Sequence, residues 1–160
     1  MSIEQVRSYF KTLGIEDRIQ EFSVSSATVE LAAAALSCEP CRIAKTLSFL
    51  VRETPIVIVT AGDAKVDNAR YKARFGTKAK MLTPDEAVAL IGHAVGGVCP
   101  FAVKAGVEIY LDESLKRFAT VFPACGSSNS AIEVTIPELE RFAGSGEWVD
   151  VCKAWREGEV

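Results

Sequence analysis

The sequence has a single histidine, His93, and no hydrophobic run near the roughly 20 residues that a membrane-spanning helix needs. One histidine must serve any serine triad, and no G-x-S-x-G elbow is present to hold a nucleophile. The G-x-x-x-x-G-K-[ST] pattern is absent, so there is no Walker-type phosphate loop. The five cysteines are an odd number, which argues against a disulfide framework. Cys38 and Cys41 form one CxxC, but no second CxxC completes a zinc set, so neither metal nor other cofactor is expected. The opening residues MSIEQVRSYFKTLG lack the basic-then-apolar order of a signal peptide. The expectation is a cytoplasmic chain with reduced thiols and no membrane attachment.

The 160 residues suit one domain spanning 1–160, large enough for a core without disulfide staples. A formal net charge of -3 does not advertise a polyanion partner. The distribution is less even than the total. Lys65, Arg70, Lys72, Arg74, Lys78 and Lys80 stand against Asp67 alone. Such a run is either a solvated helix face or a phosphate-contacting patch.

Hydrophobic spacing supplies the elements. Ile3, Val6, Phe10 and Leu13 recur at helical intervals behind a Ser2–Gln5 capping box. RIQEFSV alternates as a short strand, and Ser25 or Ser26 can cap a helix running to Leu36. TLSFLVR and PIVIVTAG read as a buried hairpin turning at Glu53–Pro55. Asp67 caps a helix closed by Gly76, and Thr83-Pro84-Asp85-Glu86 starts another. GVEIYLD, TVFPA, AIEVTI and WVDVC read as later strands, and Pro137 opens a last helix. Helices and strands do not alternate, which predicts an α+β fold rather than a doubly wound sheet.

Three stretches can carry chemistry. In CRIAKTLSFLV, Lys45 puts a charge into an apolar strand, where burial without a partner is expensive. It is either a lysine whose stem snorkels along the wall or a cation held for an anionic or carbonyl oxygen. In GHAVGGVCPF, Gly96 and Gly97 permit close backbone approach and Pro100 stiffens the exit. Such a loop is either a plain turn or an oxyanion-binding one. His93 fits a dipole-stabilising place at a helix end or acid–base work. In CGSSNSAIEV, residues Gly126, Ser127, Ser128, Asn129 and Ser130 make a self-satisfying turn or line a polar pocket.

RIAKTLSFLV, PIVIVTAGDAKVD, GHAVGGVCPF, EIYLDESL and GSSNSAIEV follow one another as in the YbaK/prolyl-tRNA-synthetase-associated domain family. From about Thr28 onward the chain resembles that family. The resemblance implies a mixed, largely antiparallel barrel-like sheet with flanking helices. It implies an aminoacyl-tRNA deacylase acting in trans on mischarged tRNA, tRNA(Pro) first. The amino acid would be small, such as alanine or cysteine. A prolyl-tRNA synthetase is implied as a partner, and the chain as a monomer or weak dimer. Lys45 matches the family's key lysine, and Gly96 and Pro100 match its G-x-x-x-P loop. With Gly97 these are the expected catalytic elements. His93, Val98, Cys99 and Gly126 through Ser130 are the expected substrate-binding residues. Lys65, Arg70, Lys72 and Arg74 become candidates for tRNA contact.

GSSNS lacks the basic GKRG-like sequence of some relatives, and Cys99 occupies a variable loop position. GSSNS together with GGVCPF looks more like the alanine-type editors of that family. Two other readings stand beside the deacylase. One is a non-catalytic module that binds charged tRNA or an aminoacyl-nucleotide. The other is a thiol redox protein using Cys38 and Cys41.

Overall fold

A computed structural model describes residues 2–156. Its centre is a β-hairpin of β2 (Ile43–Val51) and β3 (Thr54–Ala61), antiparallel over its whole length. Val57, Ile58, Val59, Thr60 and Ala61 are all fully buried, so β3 lies at the heart of the protein. The reversal is made by Arg52 and Glu53, because Val51 already pairs with Thr54 and Leu50 with Pro55. Arg52 takes φ +55°, matching the twist of a two-residue hairpin. The expected turn at Glu53–Pro55 is therefore one residue earlier, with Thr54 and Pro55 inside the strand.

The remaining strands extend the hairpin into a curled six-stranded sheet of order β8-β6-β2-β3-β5-β9. They are β5 (Glu108–Asp112), β6 (Thr120–Pro123), β8 (Val134–Thr135) and β9 (Trp148–Val149). β5 runs parallel to β3, β6 parallel to β2, and β9 parallel to β5, while β8 is antiparallel to β6. Two small antiparallel pairs sit beside it: β1 (Gln20–Glu21) with β7 (Ser130–Ala131), and β4 (Lys65–Val66) with β10 (Cys152–Lys153). The mixed α+β expectation holds. The predicted strand over RIQEFSV shrinks to the two residues that find a partner in β7.

Helices cover the sheet. Helix α1 (Ser2–Thr12) buries Val6 and Phe10, and Phe10 meets Phe101 edge-on at 4.9 Å between centroids. The Ser2 hydroxyl donates to the Gly126 carbonyl instead of closing a capping box. Helix α2 (Val29–Leu36) is capped by Thr28, whose hydroxyl accepts from the Leu31 N–H, so neither Ser25 nor Ser26 is the cap. Helix α3 (Asn68–Phe75) starts at Asp67 and ends at Gly76 as its sequence requires, with Tyr71 packed on Phe49. Helix α4 (Pro84–Glu86) carries the Thr83–Glu86 capping box and continues as a π-helical turn over Ala87–Ile91. Helix α5 (Ile136–Ala143) repeats the device with Thr135 and Glu138.

Two polar clasps hold the sheet's ends. Asp112 is fully buried and accepts from the N–H groups of Ser114 and Val151, while the Ser114 hydroxyl accepts from Ala61 N–H. Arg117 grips Asp63 through its two terminal guanidinium nitrogens at 2.6 and 2.9 Å. Gly62, just before it, has no room for a side chain: a Cβ would lie 2.1 Å from the Pro40 carbonyl oxygen.

Candidate active site

A break in the sheet makes the site. Along its outer edge β2 pairs with β6 only at Ile43 and Ala44. Further on, the segment around Met81 takes over: Leu50 N–H donates to Lys80, and Leu82 N–H donates to Ser48. Neither neighbour reaches Thr46. Because Ala44, Ser48 and Leu50 turn their backbone groups outward, the alternation of the strand turns those of Thr46 outward too. Among the described residues, Thr46 thus turns an N–H and C=O without a backbone partner toward the opening. Over this gap lies a cleft of about 340 Å³. Its walls come from β2, the start of α2, residues 81–82, the Gly96 loop and β7.

Lys45 lines this cleft half-buried. Its ammonium has no hydrogen bond and no direct ion pair among the described residues. Burial is the main cause that lowers its pKa below that of an ordinary lysine. Cys152 and Asp63 oppose that shift, while Lys65 reinforces it. An anion at 4 Å would interact with such a charge at about 4 kcal/mol, against about 1 in bulk water.

The loop opposite is built by backbone packing. Gly96 has φ +94°, and a Cβ there would sit 3.3 Å from that of Ala27. At Gly97 a Cβ would lie 2.7–2.8 Å from backbone atoms of Gly126 and Ser127. Only glycine lets the two loops touch in this way. Residues 22–26 then tie down the second loop, with Phe22 N–H donating to Asn129 and Ser26 N–H to Ser128.

Of the residues expected at the substrate, Lys45, Gly96, Val98 and Ser130 line the cleft. The others do not. Gly97 is buried against Gly126, and its N–H is already given to the Ala94 carbonyl. Pro100 is buried behind the loop. Cys99 belongs to the main core, where burial pushes its thiol up to about 12. His93 is fully buried beyond the capping Gly92, with Nε2 donating to the Phe101 carbonyl at 2.7 Å. Burial lowers its pKa, so it is a neutral anchor for the loop's base. Gly126, Ser127, Ser128 and Asn129 line a separate, more open depression with Gly97.

Lys65, Arg70, Lys72 and Arg74 lie outside the cleft lining. Arg70 pairs with Asp67 and Asp150, and Arg74 reaches Glu147 while stacking on Phe75 and Tyr110. The CxxC thiols are both held above their ordinary pKa, Cys38 mainly by burial and Cys41 by burial and a contact to Glu39. That is the reverse of a reactive thiolate.

Sequence reading passed over most of the cleft wall, including its hydroxyl residues Ser26, Thr28, Thr46 and Ser48. A signal for Thr46 and Ser48 was present: TLSF interrupts an apolar strand with two hydroxyls.

Residues 24–142 match the aminoacyl-tRNA editing domain family. The chain belongs to that family. It is 53% identical over 156 residues to the Bacillus subtilis protein YwhH, named as uncharacterized, covering 97% of this chain and 99% of the other. It is 25% identical over 148 residues to the proline–tRNA ligase of Bacillus cytotoxicus, covering 91% of this chain but only 26% of the ligase. Its editing-domain fold superposes with a TM-score of 0.84 on a solved structure provisionally named a trans-editing enzyme for prolyl tRNA synthetase. That match is 27% identical and covers 94% of this chain and 96% of the other. A structure of the hypothetical protein APE2540 matches at TM-score 0.82 and 27% identity, over 93% and 99% of the two chains.

Proposed function

We propose that this editing domain is a trans-acting deacylase that hydrolyses the ester of mischarged tRNA, with tRNA(Pro) carrying a small amino acid such as alanine or cysteine as the first candidate. The observation that carries the reading is the unpaired Lys45 ammonium in a small cleft, opposite a loop held by glycine-to-backbone packing. An unpaired half-buried charge is unfavourable by itself and becomes favourable once an anionic oxygen arrives.

In this mechanism the aminoacyl ester enters between Lys45 and Gly96. A water molecule adds to the ester carbonyl, giving a tetrahedral oxyanion. The C–O bond to the ribose then breaks, the ribose oxygen takes a proton, and the amino acid leaves as its carboxylate. Lys45 offsets the developing charge or fixes the phosphate of the terminal nucleotide. The cleft lining contains no carboxylate and no imidazole. A backbone oxygen such as the Thr46 carbonyl can accept a hydrogen bond from the water and orient it, while the water's proton passes through the neighbouring ribose hydroxyl to the leaving ribose oxygen. A cleft of this size rejects a large side chain by exclusion, as an editing sieve requires. The domain would work in the cytoplasm as a monomer or weak dimer, beside a prolyl-tRNA synthetase. Exposed lysines of the 65–80 stretch would contact tRNA phosphates.

The test is amino-acid release from tRNA(Pro) charged with alanine, cysteine, serine or proline, with Lys45→Ala in parallel. Release of a small amino acid but not of proline, lost in the variant, is the expected result. Tight binding of charged tRNA without turnover would replace the enzyme by a binding module.

A further inference from the structure

The gap in the outer edge of β2 is short. Ala44 is taken by Pro123 of β6, and the Ser48 carbonyl by the Leu82 N–H. Between them stands Thr46, with its N–H and C=O directed side by side beyond the strand edge. Thr46 is only half-buried, yet its hydroxyl oxygen is buried. What the residue leaves accessible is therefore its backbone and its methyl group. Thr46 lines the cleft, and so does Lys45 directly before it.

An open strand edge is a template for pairing. In an antiparallel pair, each of two facing residues gives its N–H to the other's carbonyl. From Ala44 to Ser48 is only roughly 13 Å of strand, and both flanks already carry backbone. A polypeptide strand laid along this edge would collide with β6 and with residue 82. The gap instead admits one residue's worth of donor and acceptor. An aminoacyl ester has that form. Its amine nitrogen and carbonyl oxygen flank a single Cα, as in a strand residue, and no chain continues beyond the amine.

Resting on the deacylase reading, we infer that the Thr46 backbone is the subsite for the main chain of the aminoacyl group. Its N–H donates to the ester carbonyl oxygen, and its C=O accepts from the α-ammonium. The amino acid is thus added to β2 as a strand one residue long. A carbonyl oxygen has two lone pairs, so the Thr46 C=O keeps one for the attacking water. The N–H stays in place as the ester oxygen gains charge, and its hydrogen bond strengthens as the oxyanion forms. These contacts use groups that every amino acid shares. They set the ester in register beside Lys45 and demand a free α-amine, whatever the side chain.

The experiment uses the intact protein and a tRNA whose terminal ester is replaced by a stable amide. The tRNA carries either alanine or propionate, which differ only in the α-amino group. The alanyl form should bind at least about tenfold more tightly. Equal affinity, or no binding of either, would overturn the subsite. Thr46→Pro then removes the N–H. Thr46 faces Val59 without using its outward backbone groups, so this change breaks no bond to β3. Thr46→Val loses the same hydroxyl but keeps the N–H. Ester release should be at least about tenfold faster in Thr46→Val than in Thr46→Pro. Equal rates in the two folded variants would also overturn the subsite. Should Thr46→Pro not fold, the α-hydroxy analogue of threonine at position 46 removes the same N–H through a backbone ester, with the same loss expected. Amine-dependent binding without release of any ester would end the deacylase reading and leave the subsite standing. Release with no preference for the α-amine would end the subsite alone.

Discussion

Lys45 and the arginines of α3 are both cations in an acidic protein, but their surroundings set them apart. Arg70 is partly exposed at the surface and doubly paired, at 3.1 Å to Asp150 and 3.6 Å to Asp67. Surface pairs of this kind are typically worth only about 0–1 kcal/mol, and here they use up the charge locally. Lys45 is half-buried, unpaired and backed by a fully buried strand. Its charge is small in number and large in effect, because little water screens it. Counting residues makes the 65–80 stretch the more conspicuous basic feature. The fold makes the single lysine the more potent one.

The sharpest way to break that comparison is Lys45→Met, which keeps the stem and removes the charge. Ester release should fall by about a hundredfold or more, the scale of losing one group that stabilises an oxyanion. Stability should not fall with it. Because burial lowers the Lys45 pKa, the charged form is disfavoured in the folded state. The stability cost is present below the folded pKa and is relieved as pH rises through it. The variant should therefore unfold at the same temperature or higher at neutral pH. A variant that is both active and less stable would make Lys45 a structural residue.

Gly97→Ala comes next. The added methyl would meet backbone of Gly126 and Ser127 at 2.7–2.8 Å, and backbone cannot rotate away as a side chain can. A loss of about 1–3 kcal/mol in denaturant unfolding is expected, together with slower release as the Gly96 wall shifts. Unchanged stability would mean that the two loops are not held by this contact.

A smaller effect separates the cations of α3 from one another. Lys72 is exposed and makes no direct ion pair among the described residues, whereas Arg70 is paired. If the α3 face contacts tRNA phosphates, Lys72→Ala should weaken tRNA binding a few-fold and flatten its salt dependence by about one ion. Arg70→Ala should do less. The reverse order would show that the Arg70 pairs open on binding.

The smallest effect is in acid. Glu138 is held down to about 2 by the Arg18 side chain and the Thr135 N–H. A carboxylate with a depressed folded pKa contributes stability above its unfolded value, and this is lost as pH falls from near 4.5 towards 2. Glu138→Gln should flatten the stability–pH curve in that window, as read by denaturant titrations at several pH values. An unaltered slope would assign the acid sensitivity elsewhere.

Helix ends were legible in the chain because their signals are local. Asp67 and Thr83 cap the helices that follow them through hydrogen bonds spanning two or three residues. The long hairpin was legible for the same reason, since its strands adjoin. Ser2 shows where that reasoning stops: its motif is a capping box, yet its hydroxyl is claimed by Gly126, which is distant in sequence. His93 and Cys99 misled in another way. They are chemically versatile residues inside a conspicuous loop, but the loop turns them into the core and offers the cleft Gly96 and Val98 instead.

By itself the sequence determined the mixed α+β plan, the hairpin, the caps of α3 and α4 and the placing of a lysine in an apolar strand. These follow from side-chain periodicity and short-range hydrogen bonding. Tertiary structure alone decided that the outer edge of β2 is left open at Thr46, that Lys45 has no partner while Arg70 has two, and that Ser26, Thr46 and Ser130 border one cavity. Each depends on where separate segments stop alongside one another. That is set by the packing of the whole core rather than by any residue's neighbours in the chain.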